Sequence, residues 1–296
     1  MAARVTVMRI DFPLKKFVAV FLLLFCALRL CGQTTLCTWN IRDFGNSKDS
    51  AEIAVIAKTI HAYDIVALQE VIAGPGGARA VARLADQLNR LGSRWDYVVS
   101  DPTSGQNSYK RERYAFLWKT SAAQKVGDPW LDKNYHTEID REPFLITFRI
   151  EEKEVTLCTF HAITKSMKPE TEVKFLKFFP AAYEDLNIVF CGDFNLPQSH
   201  TVFNPLKKMG FESALKNQKT SLRQKCMEDD CLASEFDNVF FNGKDIKMLG
   251  AGVNHFYHAF ESLEEAIKIS DHIPVIFRFE ILTQSSSRDA NVNPGK

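Results

Sequence analysis

Apolar residues in this chain fall into short runs that end abruptly on polar ones. β-prone stretches cover 35–40, 64–69, 95–99, 112–119, 143–151, 154–161, 187–192, 236–241 and 274–281. Several are apolar throughout, the pattern of strands covered on both faces. Elsewhere the period lengthens. Ile53, Ile56, Ala57 and Ile60 share one helical face within Ala51–Tyr63, as do Val81, Leu84, Ala85, Leu88 and Leu91 within Gly77–Leu91. A third helix is expected over Lys168–Glu184, disturbed at Pro180. Gly74-Pro75-Gly76-Gly77 reads as a loop. Strand, helix, strand, helix and then mostly strands predicts an α/β chain with two packed sheets and helices outside them.

The polar residues that close these runs carry the chemistry. Asn40, Glu70, His161, Asp193, Asn195, Asp237, Asp271 and His272 each follow or interrupt a β-prone stretch. Strand ends gather at one edge of a sheet, so residues distant in sequence can converge there. A carboxylate buried without a partner is costly, which directs Glu70 to a cation or a wet cleft. Asn40 offers a neutral oxygen beside it, or a hydrogen bond that orients it. Asp193 and Asn195 stand two apart and share a strand face, although Gly-Asp-x-Asn taken alone is also a turn signal. One histidine after a strand is usually structural. Two of them, with Glu112 and Asp237 in position to hold the rings, point to proton transfer. Hard oxygen ligands together with two imidazoles suit metal-assisted phosphodiester hydrolysis. No G-x-S-x-G, P-loop, H-E-x-x-H or dinucleotide fingerprint occurs.

Composition refines this picture. The chain has 296 residues and is 46% apolar, enough for a sizeable core. Phe17–Leu28 is an unbroken apolar run preceded by Lys15 and Lys16. It is too short to span a bilayer and fits a secretory leader cleaved near Gly32, with Met8 as an alternative start and lipidation of Cys31 as the competing reading. Residues 1–32 hold five basic residues and one acidic one. The chain's 37 basic and 36 acidic residues therefore become 32 and 35, a net charge of −3. Any nucleic-acid contact must then be local, and Lys110, Arg111 and Arg113 are the local basic group, unless they form a solvated face. Cys226 and Cys231 could close a small disulfide in an oxidising compartment, while Cys37, Cys158 and Cys191 read as buried core thiols. The expected organisation is a leader over 1–32, a catalytic domain over 33–283 and a disordered tail over 284–296.

Taken in order, Trp39-Asn40, Gln69-Glu70, Gly192-Asp193-Phe194-Asn195 and Ser270-Asp271-His272 resemble the endonuclease/exonuclease/phosphatase superfamily. Asn40-Ile41-Arg42-Asp43-Phe44-Gly45, Asn107 to Tyr114 and Arg141-Glu142-Pro143 resemble its deoxyribonuclease I group. The resemblance implies a four-layer α/β sandwich, two mixed β-sheets flanked by helices, and a metal-dependent endonuclease acting on DNA with 5′-phosphate products. It pairs His161 with Glu112 and His272 with Asp237. It matches Asn40, Glu70, Asp193, Asn195 and Asp271 to metal and phosphate positions, Arg42 and Arg141 to phosphate-contacting arginines and Tyr109 to a groove-facing tyrosine; Arg111 joins them as a substrate contact. Mg²⁺ or Mn²⁺ is the expected ion, with Ca²⁺ a further candidate. The expected protein is a secreted monomer with DNA as its partner, no protein partner and no stable membrane insertion.

Three positions depart from the pancreatic pattern. Ile72 stands where an arginine reaches the minor groove. The Tyr-Lys-Arg-Glu-Arg-Tyr run is one residue longer. Leu196-Pro197-Gln198 lacks the cysteine of the group's disulfide. A phosphodiesterase acting on a phospholipid or other small phosphate is the alternative within the same fold, and an inactive binding protein is the other.

Overall fold

The computed structural model describes residues 33–105, 111–228 and 230–282. The expected leader, the expected tail and Tyr109 lie outside them. Among the described residues fourteen strands run in chain order: β1 (Thr34–Phe44), β2 (Ile65–Ile72), β3 (Trp95–Val99), β4 (Glu112–Lys119), β5 (Gln124–Leu131), β6 (Phe144–Ile150), β7 (Lys153–His161), β8 (Ile188–Asp193), β9 (Phe211–Ser213), β10 (Leu222–Met227), β11 (Asp230–Leu232), β12 (Asp237–Asn242), β13 (Ile246–Val253) and β14 (Val275–Ile281). Two six-stranded sheets form, ordered β13-β14-β1-β2-β4-β3 and β5-β6-β7-β8-β12-β9, with β10-β11 as a separate hairpin. Pairing is parallel in β1–β2 and β7–β8 and antiparallel elsewhere, so both large sheets are mixed.

Alternation along the strands separates three apolar layers. Leu36, Ala67, Phe116, Phe148, Leu157, Val189 and Phe277 fill the space between the sheets. Cys37, Trp39, Val66 and Leu68, on the opposite face of the first sheet, pack on α1 (Ser50–Ile60) and α2 (Pro75–Asn89). Cys158, Phe160, Phe190 and Phe240 pack on Val173, Leu176, Phe179 and Phe203 beyond the second sheet. The result is the expected four-layer sandwich. Fully burying side chains of this size contributes about 1.5–3 kcal/mol each, which makes the phase of the alternation hard to slip.

Local signals explain the element ends. Asp49 caps α1 and forms a capping box with Glu52, worth about 1 kcal/mol. Gly74-Pro75-Gly76-Gly77 is not a loop, as expected from its composition, but the start of α2: Gly74 is the cap and Pro75 opens the first turn, where its missing N–H costs nothing. A Cβ on Gly77 would sit 2.0 Å from the Ile72 carbonyl, so the return from β2 into α2 requires glycine. The third expected helix is broken into one-turn pieces at Glu170–Val173, Leu176–Phe178 and Phe179–Ala182. Three rings, Phe175, Phe178 and Phe179, gather round Tyr135 with centroids 5.3–5.9 Å away, and i to i+3 hydrogen bonds tighten the chain there.

The sequence pattern missed β5, β9, β10, β11 and β13. β5 and β13 are edge strands, and β5 carries Gly127 at φ +63° and a proline. Cys226 and Cys231 form a disulfide across the β10–β11 hairpin, and Cys37, Cys158 and Cys191 are buried free thiols. Among the described residues no helix is long and apolar enough to cross a membrane.

Candidate active site

β1, β2, β7 and β8 end at the same edge of the sandwich at which the antiparallel strands β4 and β12 begin. This brings Asn40, Glu70, His161 and Asp193 to the edge from strand ends, and Glu112 and Asp237 from strand starts. Asn40, Glu112, His161, Asp193 and Asp237 follow the alternation of the apolar residues between the sheets, and so point into the inter-sheet space. His272 arrives from the turn before β14. Its amide donates to Ser270 Oγ at 2.9 Å, Ser270 donates to the Asn40 carbonyl at 2.6 Å, and Trp39 Nε1 donates to the His272 carbonyl at 2.8 Å.

Glu70 reaches the site by a break in the alternation. Ile65, Ala67 and Gln69 face the opposite sheet, whereas Val66, Leu68 and Val71 face the helices. Two successive residues have thus been fitted on the inner side. The break is at Glu70, whose φ is +59°, and the pairing of β2 with both β1 and β4 shifts register there. A left-handed glutamate is an uncommon and costly conformation. Here it turns a side chain that regular pleating would send toward the helices into the site.

The two histidines are held alike. His161 Nδ1 lies 2.8 Å from Glu112 Oε2 and His272 Nδ1 lies 2.7 Å from Asp237 Oδ2. Their Nε2 atoms turn to the same oxygen, Asp193 Oδ2, at 3.5 and 3.7 Å. Burial and the Arg141 cation push the His161 pKa down, but Glu112 and Asp193 outweigh them and raise it. Burial likewise opposes protonation of His272, and Asp237, Asp193 and Asp271 overcome it, lifting the ring well above its ordinary value. Burial and Asp193 raise Asp237 to about 6 despite His272. Burial also acts against ionised Glu112, yet His161 and Arg141 bring it down to about 2.

Asp193 follows Gly192, whose φ is +130° and whose Cβ would lie 2.1 Å from the Phe160 carbonyl, so only glycine lets β8 approach β7 at this level. Asp193 Oδ1 accepts from the Asn195 amide at 2.9 Å, and Asn195, left-handed at φ +51°, donates its side-chain amide to the Ala162 carbonyl at 3.1 Å. Asn40 Nδ2 donates to Glu70 Oε1 at 3.0 Å and to Asp193 Oδ2 at 3.1 Å, while Asn40 Oδ1 is buried with no donor among the described residues. The other Glu70 oxygen accepts from the Asp43 amide at 3.2 Å. Asp271 is half-buried beside His272.

The arginines divide. Arg42 and Arg111 are exposed at the rim. Arg141 is buried: it donates to the His161 carbonyl at 2.9 Å, to Glu112 Oε1 at 2.8 Å and to the Ala162 carbonyl. Arg141, expected as a phosphate contact, braces Glu112 and the chain around His161 with three of its donors. Strand-end reasoning also missed three supports. Thr220 Oγ1 donates to Asp237 Oδ2 at 2.7 Å, Tyr114 Oη accepts from the His161 amide at 3.2 Å, and Glu172 accepts from the Asp140 and Ile163 amides at 2.7 and 2.9 Å. None ends an apolar run, so only proximity in the fold reveals them.

Two oxygen-rich sets could hold a cation. Asp193, Asp237 and His272 present ligand atoms within 4.8 Å of one another. Glu70 lies beside Asn40, whose Oδ1 has no donor among the described residues, and carboxylate and amide oxygens suit a hard divalent ion.

Comparison with known proteins places this arrangement. The chain is 28% identical over 299 residues to deoxyribonuclease gamma of Rattus norvegicus, covering 91% of this chain and 92% of the relative. It is also 28% identical to a deoxyribonuclease of a Thioalkalivibrio strain over 88% of this chain and 75% of that one. The catalytic domain of human Nocturnin superposes with a TM-score of 0.60 at 14% identity, over 84% of this chain and 95% of that one. D. rerio TDP2 in complex with a single-stranded DNA product also gives 0.60, at 15% identity over 84% and 99%. The model of the endonuclease/exonuclease/phosphatase family matches residues 37–272, from the first strand to the second histidine. With that span matched and with deoxyribonucleases among its relatives, the chain belongs to the endonuclease/exonuclease/phosphatase family, in its deoxyribonuclease I-like group.

Proposed function

We propose that this protein is a secreted, divalent-metal-dependent endonuclease that hydrolyses DNA phosphodiester bonds with little sequence choice and leaves 5′-phosphates. One observation carries the reading: two imidazoles, each tethered by Nδ1 to a carboxylate, turn Nε2 toward one shared oxygen. A scissile phosphate between the rings meets a proton acceptor on one side and a donor on the other. One Nε2 takes a proton from the attacking water and the other gives one to the leaving oxygen. Glu112 and Asp237 fix the tautomers and stabilise whichever ring carries the extra proton. Asp193 orients both rings, Asn195 faces the same layer, and Arg42, Tyr109 and Arg111 meet the neighbouring phosphates and groove. Glu70, Asn40 and Asp271 would hold Mg²⁺ or Mn²⁺, with Ca²⁺ as a further candidate. A bound ion of this kind neutralises charge that develops on the phosphate. Arg141 acts through Glu112 and not on substrate. Residues 1–32 direct export, and the protein works as a monomer.

The test is plasmid nicking by purified protein beside a panel of sphingomyelin and inositol phosphates. Nicking that stops with EDTA and resumes with Mg²⁺ or Mn²⁺ is expected. Lipid or inositol-phosphate hydrolysis without nicking would transfer the site to a small-phosphate substrate, and EDTA-resistant nicking would remove the ion.

A further inference from the structure

One pleat below the proton-transfer layer lies a second polar layer, fully enclosed. Thr38, Gln69, Thr159 and Cys191 are each at most 1% exposed. Three of them stand two residues before site residues on the same strand face: Thr38 before Asn40, Thr159 before His161 and Cys191 before Asp193. Thr159 pairs with Cys191 across β7–β8 just as His161 pairs with Asp193. Gln69 Nε2 donates to Thr38 Oγ1 at 3.0 Å within its own sheet and to Thr159 Oγ1 at 2.7 Å in the other sheet. Cys191, buried beside Thr159 in register, completes the layer.

We infer that Gln69 is a positioning residue, an amide clamp between the sheets that sets the distance from Asn40 and Glu70 on one sheet to His161 and Asp193 on the other. The halves of the site belong to different sheets, and apolar burial is non-directional, so it does not by itself fix where one sheet sits on the other. An amide that donates to one acceptor on each sheet has a narrow range of lengths. Gln69 is also the residue from which Glu70 departs in left-handed conformation, so the clamp holds the root of that turn. Its own carbonyl oxygen is buried without a donor among the described residues. The amide's directed contacts are therefore the two that link the sheets. An apolar residue of the same size would fill the volume equally well, which makes position the property it supplies.

The inference rests on reading the layer above as the reacting centre, so the assay is DNA cleavage with separate kcat and KM. Gln69→Met keeps length and removes both bonds. The expected result is a kcat lower by about 10²-fold, the effect of misplacing reacting groups by about 1 Å, with KM for DNA within threefold. Thr159→Val removes the second sheet's anchor at constant shape. It should lower kcat as well, and the double variant should be no slower than Gln69→Met, since both break one bridge. Thr147→Val is the control. It removes a buried bond, Thr147 to Thr156 at 2.9 Å, among residues the site does not use, and should leave kcat unchanged at a similar loss of Tm. If Gln69→Met fails to fold, Thr159→Val and Thr38→Val carry the test alone. A kcat for Gln69→Met within threefold of wild type, a loss no greater than that of Thr147→Val, or additive losses with Thr159→Val would overturn the clamp. A wild-type protein that does not cleave DNA would instead overturn the reading on which it rests.

Discussion

Replacing Glu112 by glutamine tests the support of His161 at two levels. Glu112 spans His161 Nδ1 at 2.8 Å and Arg141 Nη1 at 2.8 Å, with its side chain 17% exposed. Its pKa of about 2 against an ordinary 4.5 corresponds to on the order of 3 kcal/mol of stabilisation, at about 1.4 kcal/mol per pKa unit. The sign follows from the direction. A depressed carboxylate contributes fully above the unfolded value near 4.5, and the contribution is lost as pH falls toward about 2. Glutamine removes the charge and leaves Arg141 buried, with its two carbonyl contacts but no counter-ion. Breaking one side of a buried pair costs about 3–5 kcal/mol, which agrees in size. Catalysis should suffer more. An amide can present NH₂ to His161 Nδ1 and so place the ring proton on Nε2, the wrong tautomer for accepting one. A comparable loss in a serine protease lowers kcat by about 10⁴-fold, and 10²–10⁴-fold is expected here. Urea unfolding at pH 7 and pH 3, beside nicking rates at pH 7, measures both. A kcat within threefold of wild type, or a stability gap no smaller at pH 3 than at pH 7, would refute the reasoning.

Other perturbations reach other parts of the site. His161→Ala and His272→Ala should each remove most turnover while DNA binding by fluorescence anisotropy stays close to wild type; activity retained by either variant would end the proton-transfer role of that ring. Gly192→Ala must move the Phe160 carbonyl from a 2.1 Å contact and give up φ +130°, so a loss of about 3 kcal/mol or more in denaturant unfolding is expected, together with activity. Ile72 is 37% exposed and lies against Gly45, on the loop that follows Arg42. Ile72→Arg should raise cleavage of duplex relative to single-stranded DNA, and an unchanged ratio would make that position irrelevant to groove contact.

Much of the site could be read from the chain because its carriers are local signals. Asn40, Glu70, His161 and Asp193 close apolar runs, and Asp237 and Glu112 open them, so alternation and strand ends already gathered them at one edge. Each histidine–carboxylate contact spans the two sheets and so came from their packing. What the pattern could not supply is of another kind. Arg141 resembled a phosphate contact, and three of its five donors are taken by Glu112 and by the chain at His161 and Ala162, which only the packing of the two sheets brings together. Thr220 lies in a segment with no periodic signal, Tyr114 and Glu172 lie inside predicted elements and not at their ends, and β5 and β13 escaped notice because edge strands need no apolar alternation on their outer side.

The identity and order of the chemical groups, and the sheet edge at which they meet, were set by the amino-acid sequence, because β periodicity and strand termination act over a few residues. The tertiary structure alone decided how they face one another: the left-handed Glu70 that turns inward, the amide of Gln69 between the sheets, and Trp39 fastened to His272 across 233 residues. Such contacts depend on how two sheets settle together, and hydrogen-bond geometry at that scale is a property of the assembled core, not of any stretch within it.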